Sequence, residues 1–208
     1  MAAGLLVLAS TSEARRRLVG RLGHEVTAVA PTCDEHALVG RTPDDTALLR
    51  AFAKADSVRA LFPKTAWIVG SDQLVDLDGR ILGKPGTTER ACAQLAELSG
   101  RTHRLVTAVV VLGPPVSSGG PGRESRIVVS RMTMRRLDAD EIARYVAADQ
   151  PEACAGSYKI EQGGRALFAE IATSDATAIE GLPLVALSAM LAGLRDVREA
   201  RSIVSTAP

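Results

Sequence analysis

Apolar runs alternate with amphipathic stretches along most of this chain, a pattern of an α/β protein rather than of a sandwich or a helical bundle. An apolar strand over Leu5 to Ala9 runs into the hydroxyls Ser10-Thr11-Ser12, and a helix from about Glu13 to Leu22 follows. A second strand is expected near Glu25 to Ala30, then a loop from Pro31 to Pro43. Asp44 or Asp45 opens a helix that presents Leu48, Ala51, Phe52, Ala55 and Val58 to a core before Pro63 closes it. Lys54 falls at the edge of that apolar face. Ala66 to Ser71 reads as a short buried strand, and Asp78-Gly79, between Leu74-Val75 and Ile81-Leu82, as a hairpin turn.

A helix from about Thr88 to Leu98 stops at Ser99-Gly100, where glycine suits a left-handed cap. Two long strands are expected over Arg104 to Leu112 and Arg126 to Met134, with the Gly- and Pro-rich stretch between them read as a flexible insertion at about 113–124. Asp138-Ala139-Asp140-Glu141 has the form of a capping box opening a helix to about Ala148. Gly156, Gly163, Gly164 and Gly181 punctuate short strands before a last helix from Pro183 to about Leu194, and 196–208 read as a tail. The expectation is a single domain over 1–208, built as two lobes with strand ends from both facing a shared cleft.

Composition narrows the function classes. The 208 residues carry 25 basic and 24 acidic side chains, a net charge of +1, so no overall field attracts nucleic acid and any anion site must be local. Aromatic residues are only 3%, too few for base-stacking platforms. No apolar run reaches membrane-spanning length and no basic leader precedes the first strand, which makes the cytoplasm the expected location. Cys33, Cys92 and Cys154 form no CxxC pair, and His24, His36 and His103 lack metal-ligand spacing. A metal, if used, would be held by oxygen.

The candidate chemistry gathers at the ends of apolar runs. A strand that ends in Ser10-Thr11-Ser12 and starts a helix aims N–H groups, hydroxyls and the positive end of the helix dipole at one point, with Arg15 and Arg16 in its first turn. Asp72 follows Trp67-Ile68-Val69-Gly70 and is expected at the end of a buried strand; Glu35 lies in a polar loop; Lys84 sits between Gly83 and Pro85. Taken singly, each has a plain explanation as a cap, a turn or a solvated charge. Together, two carboxylates and two lysines can hold a divalent cation such as Mg²⁺ and a polyphosphate, the lysines acting as point charges on the phosphates.

Seven short motifs occur in order: Leu8-Ala9-Ser10-Thr11-Ser12 with Arg15-Arg16, Asp34-Glu35, Lys54-Ala55, Gly70-Ser71-Asp72-Gln73, Gly83-Lys84-Pro85, Leu98-Ser99-Gly100 with His103, and Gly181-Leu182-Pro183-Leu184. Their set resembles the signatures of the Maf family of nucleotide pyrophosphatases. The resemblance implies a fold like that of inosine triphosphate pyrophosphatases, with a mixed elongated sheet, flanking helices and two lobes around a cleft. It also implies a divalent metal (Mg²⁺ or Mn²⁺), often a homodimer, and hydrolysis of a nucleoside triphosphate between its α and β phosphates. By matching position, Asp72 would be the catalytic carboxylate and proton acceptor. Lys54 and Lys84 would assist it, Ser10 and Arg15 would bind phosphate, and Glu35 with Asp72 would hold the metal.

Ser71-Asp72-Gln73 together with the run Cys154-Ala155-Gly156-Ser157-Tyr158-Lys159-Ile160-Glu161 resembles the subfamily that hydrolyses 7-methylguanosine triphosphate; members acting on dTTP and UTP are similar to one another in carrying threonine in place of Gln73 and glutamine in place of Glu161. A buried carboxylate accepts two bonds from the N1–H and N2–H₂ edge of guanine, whereas thymine and uracil offer one N3–H. Glu161 is thus expected to read the base, with Gln73 helping to orient it. Ala14 stands where some close relatives have tryptophan, and alanine cannot stack on a cationic methylated base. The alternatives are a dTTP/UTP pyrophosphatase of the same family and a nucleotide-binding regulator of septum formation. The retained Asp72, Glu35, Lys54 and Lys84 favour an enzyme, one that clears modified nucleotides from the pool.

Overall fold

A computed structural model describes residues 5–115 and 121–193. The chain begins with β1 (Leu6–Ala9), α1 (Glu13–Gly20) and β2 (Val26–Val29), all within the bounds read from the hydrophobic pattern. There follow α2 (Pro43–Arg59), a hairpin of β3 (Trp67–Leu77) and β4 (Arg80–Leu82), and α3 (Thr88–Leu98). Then come the long pair β5 (Thr102–Pro115) and β6 (Pro121–Met134), α4 (Ala139–Asp149), a run of short 3₁₀ turns interrupted by β7 (Phe168–Ala172), and α5 (184–193).

Local chemistry explains the element ends. Ser12, Thr42, Thr87 and Asp138 each accept a backbone N–H from the first turn of the helix they precede, and Pro43 occupies the first turn of α2, where no N–H is needed. The capping box at Asp138 is half formed: Asp138 takes the Glu141 N–H at 2.7 Å, while the Glu141 carboxylate turns instead to Arg135. In the β3–β4 turn Asp78 and Gly79 both have positive φ, 52° and 86°, as a two-residue hairpin requires.

Three expectations change. The stretch read as an insertion begins and ends in paired strands, Leu112 opposite Arg123 and Pro115 opposite Pro121, leaving only 116–120 outside the described residues, as are Leu194 and the tail. Gly113 is needed there because a side chain would collide with the Trp67 ring, 2.6 Å from where its Cβ would stand. Where short strands were expected between Pro151 and the last helix, 3₁₀ turns at Pro151–Ala153, Ala155–Ser157, Gly163–Leu167 and Ala176–Glu180 take most of the length, and only β7 is a strand. The third change concerns β3, which runs 11 residues without a break and so places Asp72 inside a strand rather than at its end.

The sheet is mixed, in the order β2-β1-β3-β5-β6-β7, with β4 on β3. β1 pairs in parallel with β2 and β3; all other pairs are antiparallel. One lobe packs α3, α4 and the 3₁₀ region on the far ends of β3, β5 and β6 around Leu95, Leu98, Leu105 and Met132. In the other lobe α2 covers one face of the sheet, with Ala47, Ala51, Ala55 and Val58 buried. The opposite face packs against α1 and residues 182–191.

Along one side of β3 the β1 ladder ends at Val69 and the β4 ladder starts at Val75. Residues 70–74 pair on their other side with β5 alone, which leaves a gap in the sheet between the two lobes. Asp72 lies in the middle of it.

Candidate active site

The alternation of a strand sends neighbouring side chains to opposite faces. Gly70 and Asp72 therefore share the face covered by α2, and Ser71 and Gln73 the other. Gly70 lets α2 come close: a Cβ there would stand 2.1 Å from the Ala51 carbonyl oxygen and 3.0 Å from the Ala55 side chain. The alanine stripe of α2 and this glycine bring Lys54, one residue before Ala55, down onto Asp72. Its Nζ donates to Asp72 Oδ1 at 2.6 Å and also pairs with Glu35. The sequence placed Lys54 at the edge of the apolar face; the structure buries it, with 6% exposure, between two carboxylates.

Asp34 and Glu35 divide their work. Asp34 Oδ1 accepts the N–H groups of His36 and Ala37 at 3.0 and 3.4 Å, an Asx turn that shapes the loop. Glu35 is left to face Lys54, with Lys84 Nζ 3.9 Å from its other oxygen. Burial works against the Glu35 carboxylate, but the Lys54 hydrogen bond and the charges of Lys54, Lys84 and His36 outweigh it and hold its pKa below the ordinary value. Asp72 Oδ2 is buried with no hydrogen-bond partner among the described residues, an expensive state for a carboxylate oxygen unless water or a cation completes it.

On the other face of β3, the side chains bind a turn. The Ser71 hydroxyl lies 2.8 Å from the Ala108 carbonyl and 2.9 Å from that of Gly181. Gln73 Nε2 donates to the Ala178 carbonyl at 2.8 Å and to the Thr107 hydroxyl at 3.0 Å. Sequence reading aimed Gln73 at Glu161; its amide N–H₂ is committed to the 176–180 turn instead, since β3 and β5 bring Gln73 opposite Thr107. Arg15 Nε donates to the Gly181 carbonyl at 2.8 Å, and Gly181, at φ 105°, carries no side chain to crowd it. Burial lowers the pKa of Arg15, against the opposing pull of Asp72 and Glu35. Arg16 is exposed and stays outside the cleft, and Arg17 pairs with Glu180 at 2.8 Å.

These groups surround one cleft of about 690 Å³. Ser10, Ala14, Arg15, Glu35, Lys54, Asp72, Gln73, Lys84 and Glu161 all line it, so the residues given a role from the sequence meet at one place, Arg16 excepted. The Ser10 hydroxyl takes the Ser12 N–H at 3.1 Å and Ser12 takes that of Arg15, which fixes the start of α1 at the cleft wall. Glu161, expected buried, is exposed at the rim on a turn. Reading the sequence missed Ile179 and gave no place in the cleft to Cys33 or to Cys154, Tyr158 and Ile160, which enter it only as part of the run ending at Glu161. Their nearness to Asp34-Glu35 and to Gly156, whose φ is 72°, was the available signal. Burial raises the pKa of the Cys154 thiol, which keeps it protonated and a poor nucleophile.

Two carboxylates bridged by a lysine, with Arg15 and Lys84 beside them at a gap in the sheet, form an arrangement that can take up a polyanion. Residues 5–194 match the family described as Maf-like protein, and the chain belongs to that family. A 7-methyl-GTP pyrophosphatase of Xanthomonas campestris pv. campestris (strain 8004) is 46% identical over 186 residues, 89% of this chain and 94% of the relative. One of Bdellovibrio bacteriovorus is 41% identical over 188 residues, 89% of this chain and 95% of the relative. Among solved structures, the Staphylococcus aureus Ham1 protein is similar with a TM-score of 0.45 and 16% identity, covering 90% of this chain and 98% of that one.

Proposed function

We propose that this protein is a nucleoside triphosphate pyrophosphatase that hydrolyses the α–β phosphate bond of a guanine nucleotide, 7-methyl-GTP above all, to the monophosphate and pyrophosphate. The observation that carries the chemistry is Asp72: an interior carboxylate with one oxygen on Lys54 and the other unpaired, in a cleft lined by cations. Asp72 Oδ2 accepts a proton from the water that attacks the α phosphorus, as the bond from that phosphorus to the bridging oxygen breaks. Lys54 holds the pKa of Glu35 below its ordinary value and fixes Asp72 through Oδ1. Lys84 and Arg15 stabilise the charge that develops on the departing pyrophosphate.

The residues fit a divalent metal. Glu35 and Asp72 supply hard oxygen donors, Asp72 Oδ2 lacks a partner, and one or two carboxylates plus phosphate oxygens are what Mg²⁺ or Mn²⁺ takes in such sites. When bound, the cation neutralises phosphate charge. Glu161 at the rim and Ala14 in the wall are the residues we assign to the base. The names of the curated relatives support the methylated guanine nucleotide as substrate. No helix among the described residues is long and apolar enough to cross a membrane, and we assign the protein to the cytoplasm, where nucleotide pools are cleared.

The test is a panel of GTP, 7-methyl-GTP, UTP and dTTP with Mg²⁺ or Mn²⁺, scored for pyrophosphate release. 7-Methyl-GTP should lead and a chelator should stop the reaction. Release of orthophosphate instead, or a preference for UTP or dTTP, would overturn the reaction or the substrate respectively.

A further inference from the structure

Glu161 rides on a turn that α4 grips at both ends. At one end the Tyr145 hydroxyl accepts the Lys159 N–H at 2.9 Å, and Lys159 Nζ donates to the Asp149 carbonyl at 2.7 Å. At the other, Asp149 Oδ2 accepts the Gly163 N–H at 2.8 Å. The turn closes on itself through the Lys159 carbonyl, which takes the N–H groups of Gln162 and Gly164 at 3.2 and 3.0 Å. Gly164 is required for this fit, since a Cβ there would stand 2.4 Å from the Lys159 carbonyl oxygen, and a Cβ on Gly163 would press on the Asp149 carboxylate at 3.0 Å. Neither Tyr145 nor Asp149 lines the cleft, while Tyr158, Ile160 and Glu161 do. Tyr158, just before the turn, is held in turn by His103, whose Nε2 lies 3.0 Å from the Tyr158 hydroxyl.

We infer that Tyr145 and Asp149 are positioning residues for nucleobase selection: they act through the 159–164 turn to fix where the Glu161 carboxylate meets the base. The inference rests on the assignment of Glu161 to the base. A carboxylate on an exposed rim has no packing to hold it, so its placement depends on the backbone that carries it. That backbone is set from behind by α4. Phosphate chemistry occurs at Asp72 and Lys54, on other elements, and does not depend on this clamp.

The variants are Tyr145→Phe, which removes only a hydroxyl, Asp149→Ala, and the milder Asp149→Asn, which keeps an acceptor oxygen. Each is measured as kcat/KM for 7-methyl-GTP, GTP and UTP with Mg²⁺, and as Kd for the α,β-methylene analogues of the same nucleotides. Tyr145→Phe and Asp149→Ala should lower the guanine values about three- to tenfold, as loss of one positioning hydrogen bond does, and leave UTP nearly unchanged. Asp149→Asn should recover part of the loss. In a Glu161→Gln background the same substitutions should cause no further loss of guanine preference, because the two act on one contact. If guanine and uracil values fall together, or the loss adds in full to that of Glu161→Gln, the clamp is merely structural and the inference fails. If Glu161→Gln by itself leaves the guanine-to-uracil ratio unchanged, the assignment of Glu161 fails first and takes the clamp with it.

Discussion

At the scale of single residues, the site turns on a lysine placed between two carboxylates. Asp72→Asn changes little in volume but removes the charge that either a base or a metal ligand needs. Turnover should fall by ~10²- to 10⁴-fold with the thermal midpoint held or raised; a variant with normal rates would move the chemistry elsewhere. Lys54→Met is expected to behave differently. It leaves Glu35 and the interior Asp72 facing each other with no cation between them, and breaking a buried pair in this way costs roughly 3 to 5 kcal/mol. Both activity and urea stability should drop, and lowering the pH to protonate one carboxylate should recover part of the stability. A Lys54→Met protein as stable as wild type at pH 7 would mean that the pair is solvated. For the base, Ala14→Trp should raise the preference for 7-methyl-GTP over GTP by adding a ring to stack on the cationic purine, by about 0.5 to 2 kcal/mol. The ratio of the two kcat/KM values reads this directly.

At the scale of elements, the approach of α2 to β3 sets the site. Gly70→Ala would put a methyl group 2.1 Å from the Ala51 carbonyl oxygen, backbone that cannot swing aside. The helix must shift outward, and Lys54 moves with it. A loss of ~3 kcal/mol in stability is expected from the overpacking, with a fall in kcat that exceeds the change in KM because Lys54 and Asp72 no longer meet. Denaturant titration and steady-state kinetics on one preparation would show whether the two effects occur together. Local signals made parts of these elements legible: Ser12, Asp138 and the Asp78-Gly79 turn act within a few residues of themselves, whereas the hydrophobic pattern starts α2 at Asp44 or Asp45 and misses the Thr42 cap before Pro43. The half-formed capping box shows the boundary of that legibility, since Glu141 answers to Arg135, whose position is set by β6 and the segment before α4.

At the scale of the whole molecule, the buried His103 makes stability depend on pH. It sits on β5 among Tyr158 and Phe168 with its Nδ1 unpaired among the described residues, and burial pushes its pKa down to about 4 from 6.5. The folded state thus holds the neutral ring while the unfolded chain takes up a proton below pH 6.5. Its contribution is complete above that pH and is lost as the pH falls toward 4, by at most about 3 kcal/mol. Urea midpoints at pH 7, 5.5 and 4.5 should fall in wild type more than in His103→Gln; parallel slopes would place the titration in other groups. The homodimer implied by the family resemblance is a separate question for light scattering.

What the sequence determined by itself was the list of parts. Apolar periodicity is a local property, so β1, α1, α2 and the β5–β6 pair could be read along the chain, and so could the identity of the charged and hydroxyl residues that line the cleft. The tertiary structure decided how they are used. That Asp72 lies inside a strand, beside a gap in the sheet, follows from where β1 stops and β4 starts, a pairing between segments far apart in sequence. That Lys54 is buried follows from Gly70 accepting the α2 backbone, and that Gln73 holds a turn follows from the register of β3 on β5. Each depends on which face of one element meets which face of another, and no periodicity within a single segment carries that information.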